Sequence, residues 1–294
     1  MFFGSSAFAV PALEALAPHA TVTLVVTQPD RPSGRGHRLQ PTPLKSAATP
    51  LGIATLEPQR LRDAASRLAD ERADLFVVAS YGRIVPQNVL DLPRLGALNV
   101  HPSLLPLYRG ATPLQSAIRD GRSESGVTII LMDAGMDTGD VLLQERTPIG
   151  RRETYGELHD RYAQLGAALV LRALERAVSG TLERIAQSSL GVSSEEIAAT
   201  LTHPLTKDDL VVEWTWPARR IVDTVRSLSP QPLARARVAE QSIKIVAAHV
   251  AGPHESDDVA LVPCADGAVI LETVVPPNRA AMSGAAFARM RAPA

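Results

Sequence analysis

The sequence is poor in the residues that build disulfides and metal sites. It contains a single cysteine, Cys264, in 294 residues, so no disulfide can form within the chain. Its seven histidines include no H-E-x-x-H or similar ligand pair, and a structural zinc site needs about four suitably spaced Cys or His ligands. The composition therefore excludes a disulfide-stabilised secreted domain, and we expect a protein that needs no metal.

Long hydrophobic runs are also missing. No apolar stretch reaches the roughly 18–20 residues that cross a bilayer. The first residues, from Met1 to Gly4, have neither the basic region nor the apolar stretch of a signal peptide. We therefore expect a cytoplasmic protein with no membrane partner.

The sequence has no large excess of charge of one sign, since its formal net charge at pH 7 is −1. This balance argues against a surface coated in Lys and Arg for indiscriminate nucleic-acid binding. Basic residues are nevertheless concentrated locally: residues 31–45 hold four basic and no acidic residues, and residues 219–244 hold six basic and two acidic ones. Patches of this kind are compatible with one defined nucleic-acid partner.

Short apolar runs alternate with helical patterns in the first half of the chain. A length of 294 residues with 45% hydrophobic residues predicts two packed domains. Apolar runs that suit buried strands lie at 21–27, 74–80, 97–100, 127–132 and 141–149, and helical spacing lies at 11–17, 61–71 and 112–120. This βαβ alternation predicts an α/β, Rossmann-like fold with a mostly parallel sheet and helices on both faces.

The second half of the chain changes character after a long predicted helix at 153–178. A polar, irregular stretch follows, then a helix at 217–228 and short strands at 233–238, 242–250, 259–263 and 268–275. Consecutive short strands without helices between them favour a small antiparallel β-barrel. We therefore predict an α/β domain over residues 1–182, a linker over 183–205 and a smaller β-barrel domain over 206–294.

The most informative motif is N-V-H-P-S-L-L-P at residues 99–106. Asn99 and His101 lie two residues apart at the end of a predicted strand, so their side chains lie on the same face of the sheet. Ligands of α/β sheets bind at the carboxyl ends of the strands. An amide can donate to a developing oxyanion, and an imidazole can transfer a proton near pH 7. The plain alternative is an Asn that caps a turn beside a half-buried His.

A second motif, M-D-A-G-M-D-T-G-D at residues 132–140, follows the next predicted strand. Its glycines and acids indicate a turn that puts a carboxylate at the same sheet edge. We expect Asp137 to orient His101 or to accept a proton. Spacing alone leaves an ordinary Asp/Gly turn possible.

A third motif is the stretch T-Q-P-D-R-P-S-G-R-G-H-R-L at residues 27–39. Its Pro and Gly content predicts an exposed loop, and its basic residues, with Lys45, form a positive arm suited to phosphate contact. The alternative is a solvated basic loop. Neither a complete dinucleotide-binding fingerprint nor a Walker motif is present.

Together the three motifs resemble the methionyl-tRNA formyltransferase family, within the 10-formyltetrahydrofolate-dependent formyltransferases. The resemblance extends over essentially the whole chain, through Lys207-Asp208-Asp209, Glu213-Trp214 and P-P-N-R-A-A-M-S-G-A-A-F at residues 276–287. It implies a folate-dependent one-carbon transferase that formylates initiator Met-tRNA for translation initiation. It also implies a C-terminal barrel of the oligonucleotide-binding type that contacts tRNA.

The resemblance assigns roles residue by residue. The catalytic residues would be Asn99, His101 and Asp137. Folate contacts would come from Ser103, Leu104, Leu105 and Pro106, with a cis Leu105–Pro106 bond. The tRNA contacts would come from Arg35 as the key residue, with Arg31, Arg38 and Lys207. The formyl donor would be 10-formyltetrahydrofolate, with no metal, and we expect a monomer.

Other readings stay open at this stage. A sugar-nucleotide formyltransferase acting on a UDP-amino sugar shares the core motifs but not the basic loop. A glycinamide ribonucleotide transformylase fits less well because it is a single, shorter domain. A non-catalytic RNA-binding relative would not require Asn99, His101 and Asp137 together.

Overall fold

The computed structural model describes residues 1–33, 38–238, 241–252 and 260–291. The chain forms two compact units. The first comprises Met1–Gly110, Gly126–Thr147 and His159–Leu201, and the second comprises Ala111–Ser125, Pro148–Leu158 and Thr202–Ala294. The predicted division at 1–182, 183–205 and 206–294 stays a prediction.

The strands among the described residues are β1 Phe2–Gly4, β2 Val25–Val26, β3 Arg31–Ser33, β4 Arg38–Gln40, β5 Thr55–Leu56, β6 Phe76–Ala79, β7 Ala97–His101, β8 Glu124–Leu131, β9 Val141–Pro148, β10 Ala234–Val238, β11 Gln241–Val250, β12 Ala260–Cys264, β13 Gly267–Val275 and β14 Met282–Ser283. The α-helices there are α1 Val10–Leu16, α2 Pro43–Ala48, α3 Ala65–Asp70, α4 Gln87–Leu90, α5 Pro113–Arg119, α6 Tyr155–Ser179, α7 Ser194–Ala199, α8 Ala218–Ser227 and α9 Gly284–Arg291. In the described part of the chain, none of the helices combines the length and the hydrophobicity needed to cross a bilayer.

A seven-stranded sheet in the order β5-β2-β1-β6-β7-β8-β9 organises the first unit. The pairings from β5 through β7 are parallel, while β8 runs antiparallel to β7. All four residues of β6 are buried, as its apolar run predicts for a strand covered on both faces. The α/β fold with a mostly parallel sheet is therefore confirmed, and the carboxyl ends of β6 and β7 lie on one edge.

The second unit contains an antiparallel sheet in the order β10-β11-β13-β12, with β14 paired to β13. In β10 buried Ala and Val residues alternate with exposed arginines, which is the pattern of a strand with one face in the core. Helix α8 contributes Ile221 and Val225 to that core, and α9 contributes the fully buried Phe287. The predicted run of short antiparallel strands is confirmed, while closure into a barrel stays a prediction.

Helix α8 contains a buried ion pair, and its arginine also bonds to two other segments of this unit. Arg226 Nε donates to Asp223 Oδ1 over 2.7 Å, and both side chains are at most 6% exposed. The Arg226 guanidinium also donates to the carbonyls of Ile118, Gly150 and Glu153. These bonds join residues 111–125 and 148–158 to the C-terminal part of the chain within the second unit.

We expect Asp223→Ala to destabilise the second unit by about 3–5 kcal/mol, because Arg226 would remain buried without its counter-charge. Denaturant unfolding measures the effect. The control is Arg94→Ala, since the Arg94–Asp74 pair is about 70% exposed on both sides and should contribute less than about 1 kcal/mol. Equal effects of the two substitutions would contradict this role of the buried pair.

The basic stretch after β2 differs in part from the predicted exposed loop. Strands β3 and β4 pair antiparallel, so its two ends form a hairpin, and residues 34–37 lie outside the described residues. Lys45 belongs to helix α2 and forms salt bridges with Glu57 over 2.8 Å and Asp30 over 3.0 Å. Hydrogen bonds to these two carboxylates raise the pKa of Lys45. Its charge is thus neutralised locally, and the prediction that Lys45 adds to the positive arm is wrong.

Candidate active site

Asn99, His101 and Asp137 meet at the sheet edge where the strand pattern predicts a site. Asn99 Nδ2 donates to Asp137 Oδ1 over 3.2 Å, and His101 Nδ1 lies 3.5 Å from Asp137 Oδ2. Asn99 and His101 lie two residues apart on β7, so both side chains leave the same face of the sheet. The prediction that these three residues lie together agrees with the geometry, with the Asp137 carboxylate at the centre.

The loop from residue 133 to 140 holds Asp137 in a specific backbone conformation. Asp137 has φ +56°, in the left-handed region that Asp tolerates better than most residues. The turn before it is fixed by Thr138 Oγ1, which donates to Asp133 Oδ1 over 2.7 Å. A side chain at Gly139 would overlap the carbonyl of Leu131. The glycine and the aspartates of this motif therefore serve the geometry that aims one carboxylate at β7.

The segment just after β7 surrounds the same cluster. The backbone N–H of Gly110 donates to Asp137 Oδ2 over 2.9 Å, and His101 Nε2 lies 3.0 Å from the carbonyl oxygen of Tyr108. His101 is only 4% exposed. Its two ring nitrogens thus face two acceptors, and an imidazolium ring would donate to both.

The predicted folate segment forms a rigid turn. Ser103, Leu105 and Pro106 are buried, Leu104 is half-buried, and the Leu105–Pro106 bond is cis, as the resemblance implies. Thr128 Oγ1 donates to the carbonyl of Ser103 over 2.6 Å and accepts from the Leu105 N–H. The turn is therefore tied to β8 on the sheet that carries Asn99 and His101.

The predicted tRNA residues lie apart from this cluster in the chain. Arg31 is exposed on β3 and donates to Gln28 Oε1 over 2.5 Å. Arg38 begins β4, and Arg35 lies outside the described residues. Lys207 is exposed in the second unit, just before a short 3-10 helix. Among the described residues, no hydrogen bond or ion pair joins Arg31 to Asn99, His101 or Asp137.

The sequence did not predict Gln187, which bonds to the backbone of the Asp137 loop, or Arg109, which bonds to Gln187. Gln187 is 5% exposed and donates to the carbonyls of Asp137 and Gly139, each over 2.8 Å. Its Oε1 accepts from Arg109. Arg109 stands close behind the first motif in the sequence and could have been flagged. Gln187 lies in the polar stretch predicted as a linker, where no local pattern distinguishes it.

Comparison with known proteins identifies a family for both parts of the chain. Residues 2–174 match the family described as "Formyl transferase", and residues 204–292 match "Formyl transferase, C-terminal domain". An N-formyltransferase from Helicobacter canadensis, solved with folinic acid and dTDP-3-aminofucose, superimposes with a TM-score of 0.67 at 20% identity, covering 92% of this chain and 97% of its own. At that identity the likeness supports the fold alone.

Two curated relatives are much more similar in sequence. The methionyl-tRNA formyltransferase of Stutzerimonas stutzeri (strain A1501) is 46% identical over 253 residues, covering 85% of this chain and 78% of the relative. That of Pseudomonas fluorescens (strain SBW25) is 42% identical over 295 residues, covering 96% and 90%. With both family domains matched and identities of this size over most of its length, the chain belongs to the methionyl-tRNA formyltransferase family.

Proposed function

We propose that the protein transfers the formyl group of 10-formyltetrahydrofolate to the α-amino group of methionine on initiator Met-tRNA, which prepares that tRNA for translation initiation. The observation that carries the proposal is the contact of one carboxylate, Asp137, with the Asn99 amide and the His101 ring. The curated relatives, which are methionyl-tRNA formyltransferases, support the choice of substrate.

The chemistry follows from the positions of these three side chains. The amino nitrogen attacks the formyl carbon and forms a tetrahedral oxyanion. Asn99 donates one N–H to Asp137, which leaves its second N–H for the oxyanion. His101, when protonated, adds positive charge beside it. Asp137 accepts the proton of the amine, the bond from the formyl carbon to N10 breaks, and the proton ends on N10 of tetrahydrofolate.

The donor is proposed to bind beside the turn of residues 103–106. Because Ser103, Leu105 and Pro106 are buried, their contribution is the shape and the backbone of the turn, and Leu104 offers the more accessible side chain. Folinic acid in the Helicobacter canadensis relative is a folate derivative, which supports a folate donor here. These contacts require no metal.

The tRNA is proposed to contact Arg31, Arg35, Arg38 and Lys207. With Lys45 neutralised by Asp30 and Glu57, the charge of the basic hairpin comes from its three arginines. Arginine suits phosphate because its planar group donates two parallel hydrogen bonds. We further propose that the protein is cytoplasmic and monomeric. Analytical ultracentrifugation of the purified protein tests the oligomeric state.

We expect Arg35→Ala to lower the rate of formylation at subsaturating Met-tRNA by about tenfold. A loss of this size corresponds to the free energy of about one hydrogen bond to a charged group. The KM for the folate donor should stay unchanged. Arg62→Ala serves as control, since Arg62 is an exposed arginine elsewhere in the first unit. An unchanged rate at low tRNA concentration would contradict the proposed role of the hairpin.

One assay of acceptor choice tests the proposed function. Purified protein is incubated with 10-formyltetrahydrofolate and either methionine-charged initiator tRNA or a UDP-amino sugar, and the formylated product is identified by mass. We expect product with the tRNA alone. Formylation of the sugar and not of the tRNA would replace the proposal with the sugar-nucleotide alternative.

A further inference from the structure

Near the cluster of Asn99, His101 and Asp137, both polar atoms of the Gln187 side chain are hydrogen-bonded. It lies in the first turn of a 3-10 helix, Gln187–Leu190, and is buried. Both of its Nε2 bonds, to the carbonyls of Asp137 and Gly139, measure 2.8 Å. Its Oε1 accepts from Arg109 Nε over 3.1 Å and from Arg109 Nη2 over 2.7 Å. A buried amide whose hydrogen bonds are all made is held in one orientation.

The chain around Gln187 is itself fixed to the sheet. Ile185 and Val141 exchange backbone hydrogen bonds of 2.8 and 2.9 Å in an antiparallel bridge. Val141 is the first residue of β9 and directly follows the loop that carries Asp137. Gln187 therefore acts from an anchored backbone, two residues from a bridge to β9.

Gln187 reaches Asp137 from two sides. Its amide donates to the backbone carbonyls on both sides of Thr138, those of Asp137 and Gly139. Asp137 itself has the left-handed φ of +56°. Through Arg109 it also holds the segment whose next residue, Gly110, donates to the Asp137 carboxylate. Gln187 contacts neither Asn99 nor His101 in the hydrogen bonds of the described residues. The contacts of Gln187 and the Gly110 bond thus converge on Asp137.

We propose that Gln187 is a positioning residue for Asp137. It holds the backbone of Asp137 in the conformation that directs the carboxylate at Asn99 and His101. The segment predicted as a linker thereby forms part of the catalytic unit. The kinetic part of this inference rests on the proposed function. Misplacement of a reacting group by about 1 Å can lower a rate by about 10²-fold.

The kinetic test uses two substitutions of Gln187. Gln187→Leu keeps a similar volume and removes every hydrogen bond. Gln187→Glu keeps an acceptor for Arg109 but, when ionised, cannot donate to the two carbonyls. We expect each to lower kcat by about tenfold or more, with the KM for the folate donor changed less than about twofold. If Gln187→Leu does not fold, the kcat of Gln187→Glu alone tests the positioning role.

The matched control is Ser189→Ala in the same 3-10 helix. Ser189 is exposed, and its hydroxyl donates only to the Ala186 carbonyl among the bonds of the described residues. We expect its kcat to equal that of the wild type. An equal loss in Ser189→Ala and in the Gln187 variants would assign the effect to the helix and overturn the proposal.

A second readout needs no substrate. The 15N chemical shifts of the His101 ring report its contact with Asp137, and we expect them to change in Gln187→Glu and to stay unchanged in Ser189→Ala. Unchanged His101 signals together with a kcat within twofold of wild type would overturn the proposal. If the wild type fails to formylate Met-tRNA, the proposed function fails, while the His101 signals still decide whether Gln187 positions Asp137.

Discussion

Asn99→Ala is expected to lower the turnover of formyl transfer by about 10²–10³-fold, the usual effect of removing one oxyanion donor. The Asn99 amide donates one hydrogen to Asp137 Oδ1 over 3.2 Å, so its second hydrogen is available to the oxyanion. The side chain is not part of the turn of residues 103–106. The KM for the folate donor should therefore remain near that of the wild type, and steady-state kinetics with varied donor measures both constants.

The control for this substitution is Asn88→Ala, which removes the same amide from an exposed position on α4. It should leave turnover unchanged. An Asn99→Ala variant with full turnover would show that Asn99 does not stabilise the oxyanion.

Asp137→Asn is expected to reduce turnover by about 10²–10⁴-fold, the range for loss of a general base. The substitution preserves the size of the side chain, and Asn tolerates the left-handed conformation at φ +56°. The fold of the loop should therefore survive. The lost charge removes the proton acceptor and the counter-charge to the His101 ring, 3.5 Å away.

Far-ultraviolet circular dichroism checks that Asp137→Asn is folded, and turnover is compared with that of Asp91→Asn. Asp91 is exposed and accepts a hydrogen bond from Gln87 within the same stretch of chain. Its substitution should have little effect on turnover. Turnover of Asp137→Asn within threefold of the wild type would assign proton transfer to another group.

The sequence was sufficient to predict the strands that are built from buried apolar runs. Residues 74–80 contain β6 and 97–100 contain most of β7, because a run of β-branched and apolar residues between polar breaks suits a strand covered on both faces. Ligands bind at the carboxyl ends of parallel strands, and this rule predicts that Asn99, His101 and Asp137 lie at one edge of the sheet. The identity of the substrate came from the family resemblance.

Contacts between distant segments could not be predicted in the same way. The bond from Gln187 to Asp137 joins residues 50 positions apart, and no local pattern marks either end. The neutralisation of Lys45 depends on Glu57 as well as Asp30, whose positions relative to α2 only the fold determines. The same holds for Arg226, which reads as a surface charge on α8 and is buried against Asp223.

The central proposal is that Asn99, His101 and Asp137 act as one unit in formyl transfer to Met-tRNA. The most direct test is the single-turnover rate of transfer in the wild type, in Asn99→Ala, in His101→Ala and in the double variant, at saturating donor and tRNA. Groups that act as a unit give strongly non-additive losses, so we predict that the double variant loses little more than the slower single variant. Losses that simply multiply, or transfer at the wild-type rate in the double variant, would contradict the proposal.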